Sequence, residues 1–210
     1  MNTYKKYQLR DILNEHKKWI SNTVDGGECA NFSGANLTGV NLRRVDLSGA
    51  DLTDANLSNA DLSGANLYYV KLSKANLTGV DLRGANLEFV SNLNSANFSS
   101  ANLSNTNLCY LHLNGTNLNR ANLSNANLRY TNLSNADLTG ANLSKADLSK
   151  ADLSNANLSN ADLSHANLYH ADLSNANLDN ANLMGARLSG ADLSNTTLPN
   201  FTTPHPSTEK

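Results

Sequence analysis

The side chains of this 210-residue chain that could carry chemistry include five histidines, two cysteines and eighteen acids. Ten of those acids, Asp46, Asp51, Asp61, Asp81, Asp137, Asp147, Asp152, Asp162, Asp172 and Asp192, share one place in a five-residue metre. Asn fills that place almost everywhere else, so the position serves hydrogen bonding, not charge. A carboxylate pair for general acid–base work would not tolerate the exchange. His165 and His170 fall on adjacent beats with no nearby Cys to complete a metal set, and read as a solvated pair. The glycines are spread at one structural position and build no phosphate loop. The expectation is therefore no enzyme, with no catalytic, cofactor-binding or metal-binding residues; the chemistry is that of a surface.

The metre is the architecture. Leu or Phe recurs every fifth residue from Phe32 to Leu198, giving 34 centres of which only Phe32 and Phe98 are not Leu. Two residues before each centre sits a small residue, Ala in 24 cases, and just before it Asn or Asp, except at Lys71, His112, Arg187 and Thr197. A period of five matches neither helix nor strand, and a long helix would smear these leucines around its circumference. A short extended step followed by a corner fits. On such a step the centre and the small residue share parity and point inward, while Asn or Asp points out. Ten of the twelve glycines lie two after a centre, which marks the corner. There the third residue of a type II turn needs positive φ, which Gly adopts freely and Asn tolerably. Four steps per circuit would close a square coil filled by four Leu and four Ala.

Runs such as Ala50-Asp51-Leu52-Thr53-Asp54 and Ala151-Asp152-Leu153-Ser154-Asn155 resemble the A-(D/N)-L-x-x signature of the pentapeptide-repeat family, over roughly residues 30–198. The resemblance implies an all-β solenoid: a right-handed quadrilateral β-helix with four repeats per circuit. Thirty-four repeats would make eight and a half circuits, a rod on the order of 40 Å long at the ladder spacing. We divide the chain into an N-terminal cap helix and connector (1–28), the β-helix (29–200) and a flexible C-terminal tail (201–210).

Repeat rods need capped ends. Leu9, Ile12, Leu13, His16 and Ile20 follow helical spacing, while Lys5, Lys6, Lys17 and Lys18 keep to other positions. The helix should lay that stripe over the first circuit, with Trp19 closing the junction. The segment from Leu9 to Trp19, L-x-x-I-L-x-x-H-x-x-W, is similar to helices of bacterial, notably cyanobacterial, family members. At the other end only Phe201 could plug the last circuit. An uncovered coil edge invites pairing, so a homodimer through the C-terminal coils is expected.

Net charge is −2 with the signs mixed, and no polybasic segment suggests nucleic acid or anionic lipid. No apolar run follows Met1, so neither secretion signal nor membrane span is expected. Cys29 and Cys109 would lie four circuits apart, ~19 Å, beyond the ~7 Å that a disulfide tolerates. Both are expected as free thiols in a cytoplasmic protein.

Leu87 to Leu93 is six residues, so one residue is inserted within Glu88-Phe89-Val90-Ser91-Asn92, after three whole circuits. It should form a corner bulge and leave later circuits in register. Threading positions every 20 residues, or 21 across the insertion, gathers all five tyrosines of the repeats on one edge. That edge comprises Tyr68, Tyr69, Phe89, Tyr110, Arg129, Tyr130, Lys150, Tyr169 and His170. Two roles are open: rings stacked circuit over circuit for stability, or a recognition stripe, since Tyr and Arg are favoured at protein interfaces.

Three functions compete. The first is a scaffold or regulatory rod for an unidentified protein partner. The second, implied by quinolone-resistance members of the family, is imitation of duplex DNA to modulate DNA gyrase or another type II topoisomerase. Mimicry wants a dense acidic surface, whereas residues 29–198 hold 13 acids against 10 bases. The third is an ice-binding face. Regular Thr ladders would be expected there, but the polar edge reads Asn135, Asn155, Asn175 and Asn195.

Overall fold

The computed structural model describes residues 2–3, 6–22, 26–90, 93 and 95–199. A two-residue strand β1 (Asn2–Thr3) precedes helix α1 (Lys6–Ile20), and β1 pairs in parallel with β2 (Ala35–Asn36). The rest of the described chain is a ladder of single parallel bridges. Asn31 bridges Asp51, Asn36 bridges Asn56, and the step of twenty repeats to Asn177 and Thr197. Each circuit is therefore four pentapeptides long.

The ladder follows from the repeat. Each centre donates its amide upward, as Leu37 does to the Asn56 carbonyl at 2.7 Å, and the residue before it donates downward, as Asn56 does to Ala35 at 2.8 Å. At the corner the chain folds back through an i to i+3 bond, Ala55 to Leu52 at 3.1 Å for one. The third corner residue has positive φ at every described repeat, Gly or not: Arg44 sits at 56° and Tyr69 at 56°. For a side chain other than Gly this costs about 1–2 kcal/mol, a cost that ladder bonds and core packing must offset at each corner.

The outward Asn or Asp fastens that corner. Its Oδ1 accepts the amide two residues on, at 2.9 Å for Asp61 and Ser63 and 3.1 Å for Asn56 and Ser58. Asn and Asp thus do the same work, as their interchange in the sequence requires. Inward, the leucines from Leu37 to Leu82 are wholly buried, as are most of the alanines beside them. Among the described residues these side chains form one continuous packed column.

At the N-terminal end Leu9, Ile12 and Leu13 of α1 pack on this column. His16 is fully buried, and its Nδ1 accepts the Ala30 amide at 3.1 Å. Ile20, placed on the same stripe by its spacing, is exposed, because the helix ends there and its last turn overhangs the coil. Trp19 is also half-exposed; it stacks on His16 at 5.6 Å and lies over Gly49. The connector passes so close to α1 that a Cβ on Gly27 would collide with the Trp19 amide and the Glu15 carbonyl. Lys5, Phe201 and the tail fall outside the described residues, as do Ser91 and Asn92 of the insertion.

Candidate interaction edge

Register survives the insertion. Asn76 bridges Asn97 and Asp81 bridges Asn102, each 21 apart, and the step returns to twenty with Asn97 and Asn117. The ladder itself does not close there. By the pattern elsewhere, the amides of Gly84, Leu87, Phe89, Leu93 and Ser95 would donate to the carbonyls of Ser104, Asn107, Cys109, His112 and Asn114. Among the described residues none of those five forms a short bond, although Asn86 still bridges Asn107; Leu82 reaches Asn102 at 2.8 Å and Phe98 reaches Asn117 at 2.8 Å. Two faces of the coil are tightly joined, and at the third, where Asn86 bridges Asn107, the ladder is loosened. A cleft of about 590 Å³ opens on the separated side, lined by Glu88, Phe89, Cys109, Tyr110 and His112 among others.

The sequence places the aromatic residues on one edge, and the structure brings them there as three clusters instead of one column. Tyr69 and Phe89 stack at 5.4 Å, with Tyr68 edge-on to Tyr69 at 4.5 Å. Tyr110 and Tyr130 stack at 4.9 Å and 7°. Lys150 extends the second cluster: its Nζ lies 5.2 Å from the Tyr130 ring centre and donates to the Tyr130 hydroxyl at 3.2 Å. Tyr169 meets His170 edge-on at 4.1 Å. Between Phe89 and Tyr110 no ring contact exists among the described residues, because the open ladder lies between them. Those two rings are consequently the most exposed on the edge, at 60% and 67% against 38% for Tyr130.

The electrostatics follow the neighbours. The Lys150 ammonium and, less strongly, the Arg129 guanidinium hold the Tyr130 phenol below its usual range. Desolvation first, and then Tyr69 and Glu88, push the Tyr68 phenol up. Arg129 lies 5.9 Å from the Tyr130 ring and 3.9 Å from the Asp147 carboxylate. Burial raises the Cys109 thiol, so it is not a poised thiolate. Among the described residues no group of three or more His, Cys, Asp or Glu could hold a metal.

Sequence reasoning missed two features. One is the cleft, whose signal was the six-residue interval itself. The other is a cluster of Arg43, Arg44 and Arg83 around Ser63 and Gly64, which the 20-residue threading would have found. Arg83 is committed to Asp81, with Nη2 at 2.6 Å from Oδ2.

A square ladder with four pentapeptides per circuit and an aromatic edge defines a repeat solenoid. The family model for pentapeptide repeats matches residues 30–68, 60–108, 91–125, 121–160 and 161–198, and the chain belongs to that family. Its members fold as right-handed quadrilateral β-helices. One solved relative is HetL of the cyanobacterium Nostoc sp. strain PCC 7120, a pentapeptide repeat protein involved in heterocyst differentiation regulation. It is 32% identical over 89% of this chain and 97% of its own, with TM-score 0.38. Rfr23 from the cyanobacterium Cyanothece 51142 is 25% identical over 88% and 97%, with TM-score 0.30. QnrB1, a plasmid-mediated fluoroquinolone resistance protein, is 19% identical over 82% of this chain and 93% of its own, with TM-score 0.39. A search of curated proteins finds no match. Pentapeptide-repeat proteins are generally structural or interaction proteins, and no catalytic family is indicated. Among the described residues no helix is long and apolar enough to cross a membrane.

Proposed function

We propose that this chain is a non-enzymatic interaction rod, a cytoplasmic scaffold or regulator that presents its aromatic edge to a protein partner. One observation carries the reading: Tyr69, Phe89, Tyr110 and Tyr169 keep 46–67% of their surface exposed although all stand on one edge. Stacking for stability alone would favour burying them, whereas exposed Tyr beside Arg and Lys is interface chemistry. Replacing Tyr69, Tyr110 and Tyr130 together by Ser tests it. Capture of the partner from the source cell should be lost while the rod keeps its circular-dichroism spectrum; unaltered capture removes the recognition role.

In this reading residues 1–28 are cap and connector and the repeats form eight and a half circuits. The packing of Leu9, Ile12 and Leu13 on the core supports the cap. At the other end Leu198 is half-exposed, which supports pairing of two rods through their C-terminal coils. Light scattering at high concentration checks it; a monomer counts against the dimer. Gyrase modulation by DNA mimicry is poorly served by a surface that gathers Arg43, Arg44 and Arg83, and a supercoiling assay with gyrase decides it.

A further inference from the structure

We infer that the cleft at the insertion is an arginine receptor, seating the guanidinium of a partner protein between Phe89 and Tyr110. The inference rests on the edge being the interaction surface and names its recognition chemistry. Where the ladder is closed, rings on successive circuits stack directly, Tyr69 on Phe89 at 5.4 Å and Tyr110 on Tyr130 at 4.9 Å. Where it is open, the two inner rings of those pairs have lost each other and line one cleft. Each keeps one face packed on its own partner and leaves the rest of its surface free. Two aromatic rings backed by further rings make a rigid slot for a planar group.

Charge selects which planar group. The cleft lining contains one carboxylate, Glu88, and no lysine or arginine. Among the described residues Glu88 forms no ion pair, while Arg129 near Tyr130 leans to Asp147. A guanidinium is flat and weakly hydrated, stacks on aromatic faces and pairs with a carboxylate at its edge. A lysine ammonium would satisfy Glu88 but not fill the slot, and a neutral aromatic ring would fill the slot but leave Glu88 unanswered. The Cys109 carbonyl, left without its ladder donor Phe89, lies along the same opening and can accept a remaining guanidinium proton.

The test titrates the full chain, its Phe and Tyr rings isotopically labelled, with acetyl-Gly-Arg-Gly-amide and its lysine and citrulline counterparts at pH 8. The Arg peptide should shift the Phe89 and Tyr110 ring signals saturably and bind about tenfold more tightly than citrulline, which keeps the plane but not the charge. Glu88→Gln should bring the Arg peptide down to the citrulline level. Phe89→Asn or Tyr110→Asn should abolish the shifts; Asn occupies the same turn position on a neighbouring edge at Asn135 with φ 59°, so the fold is kept. Equal binding of citrulline, tighter binding of lysine or of a tryptophan peptide, or no saturable shift overturns the proposal. Partner capture that fails in the triple Tyr variant but survives Glu88→Gln would overturn the arginine receptor and leave the interaction edge standing.

Discussion

The two ends of the rod are built from the same pentapeptides and have opposite fates. Under α1, Phe32, Leu37, Leu42 and Leu47 have no exposed surface. In the last described circuit Leu183, Leu188 and Leu193 are only partly buried, Ala181 is 7% exposed, and Leu198 is 50% exposed. Nothing in the repeat differs enough to explain this. Burial comes from what is stacked on a circuit, not from its motif, as expected when stability is a sum of neighbour interactions.

The sharpest way to test that contrast is to make one change at two places. Leu128→Ala, in a wholly buried position with circuits on both sides, should cost about 3–5 kcal/mol in denaturant unfolding. Leu193→Ala should cost a small fraction of that. Equal losses would mean that the end circuit is covered, most simply by a second copy.

Next in size is the cap. Leu13→Asp puts a carboxylate against the first circuit and should cost about 2–3 kcal/mol, the range for an unpaired buried polar group. Amide exchange should speed up first near Phe32 and Leu37 and last beyond Leu128. Uniform acceleration along the rod would show that the circuits unfold as one.

His16 gives the N-terminal end a pH dependence of its own. Burial lowers its pKa from 6.5, only partly opposed by Asp46, and its Nδ1 already accepts the Ala30 amide. The folded state therefore binds fewer protons than the unfolded one, so stability rises with pH across this interval. It should be fully present above about pH 6.5 and fall as pH drops through the lowered folded value. His16→Gln should flatten the melting-temperature profile between pH 5 and 7; a profile unchanged by the substitution would remove His16 as the cause.

The smallest effect concerns the outer wall. Arg83→Gln breaks a well-formed contact with Asp81, yet Arg83 is largely exposed, so stability should change by less than about 1 kcal/mol and less still at high salt.

Much of this was legible in the sequence because a strict metre encodes its own geometry. The parity of Ala50 and Leu52 sends both inward, Gly34 and its equivalents mark the corners, and counting by twenty puts Tyr69 beneath Phe89. What was not legible depends on distance. The six-residue interval at Leu87–Leu93 announces extra contour length, but not that the ladder loosens from Leu87 to the Phe89 corner while holding at Leu82. Period likewise placed Ile20 on the buried stripe, whereas the end of α1 decides its exposure. The separation of Phe89 from Tyr110 is the cost of that opening, and it is where the candidate site lies.

The turn-fastening oxygen has one more consequence. Because Oδ1 of Asn56 and of Asp61 each receives a corner amide in the same way, hydrolysis of an outward asparagine to α-linked aspartate keeps the turn acceptor, whereas isoaspartate would lengthen the backbone and break it. Amide ladders such as Asn86 to Asn66 to Asp46 would lose only a lateral rung. The wall therefore accepts a new carboxylate at the turn itself, and its cost lies between circuits, where Asp in place of Asn66 would face Asp46.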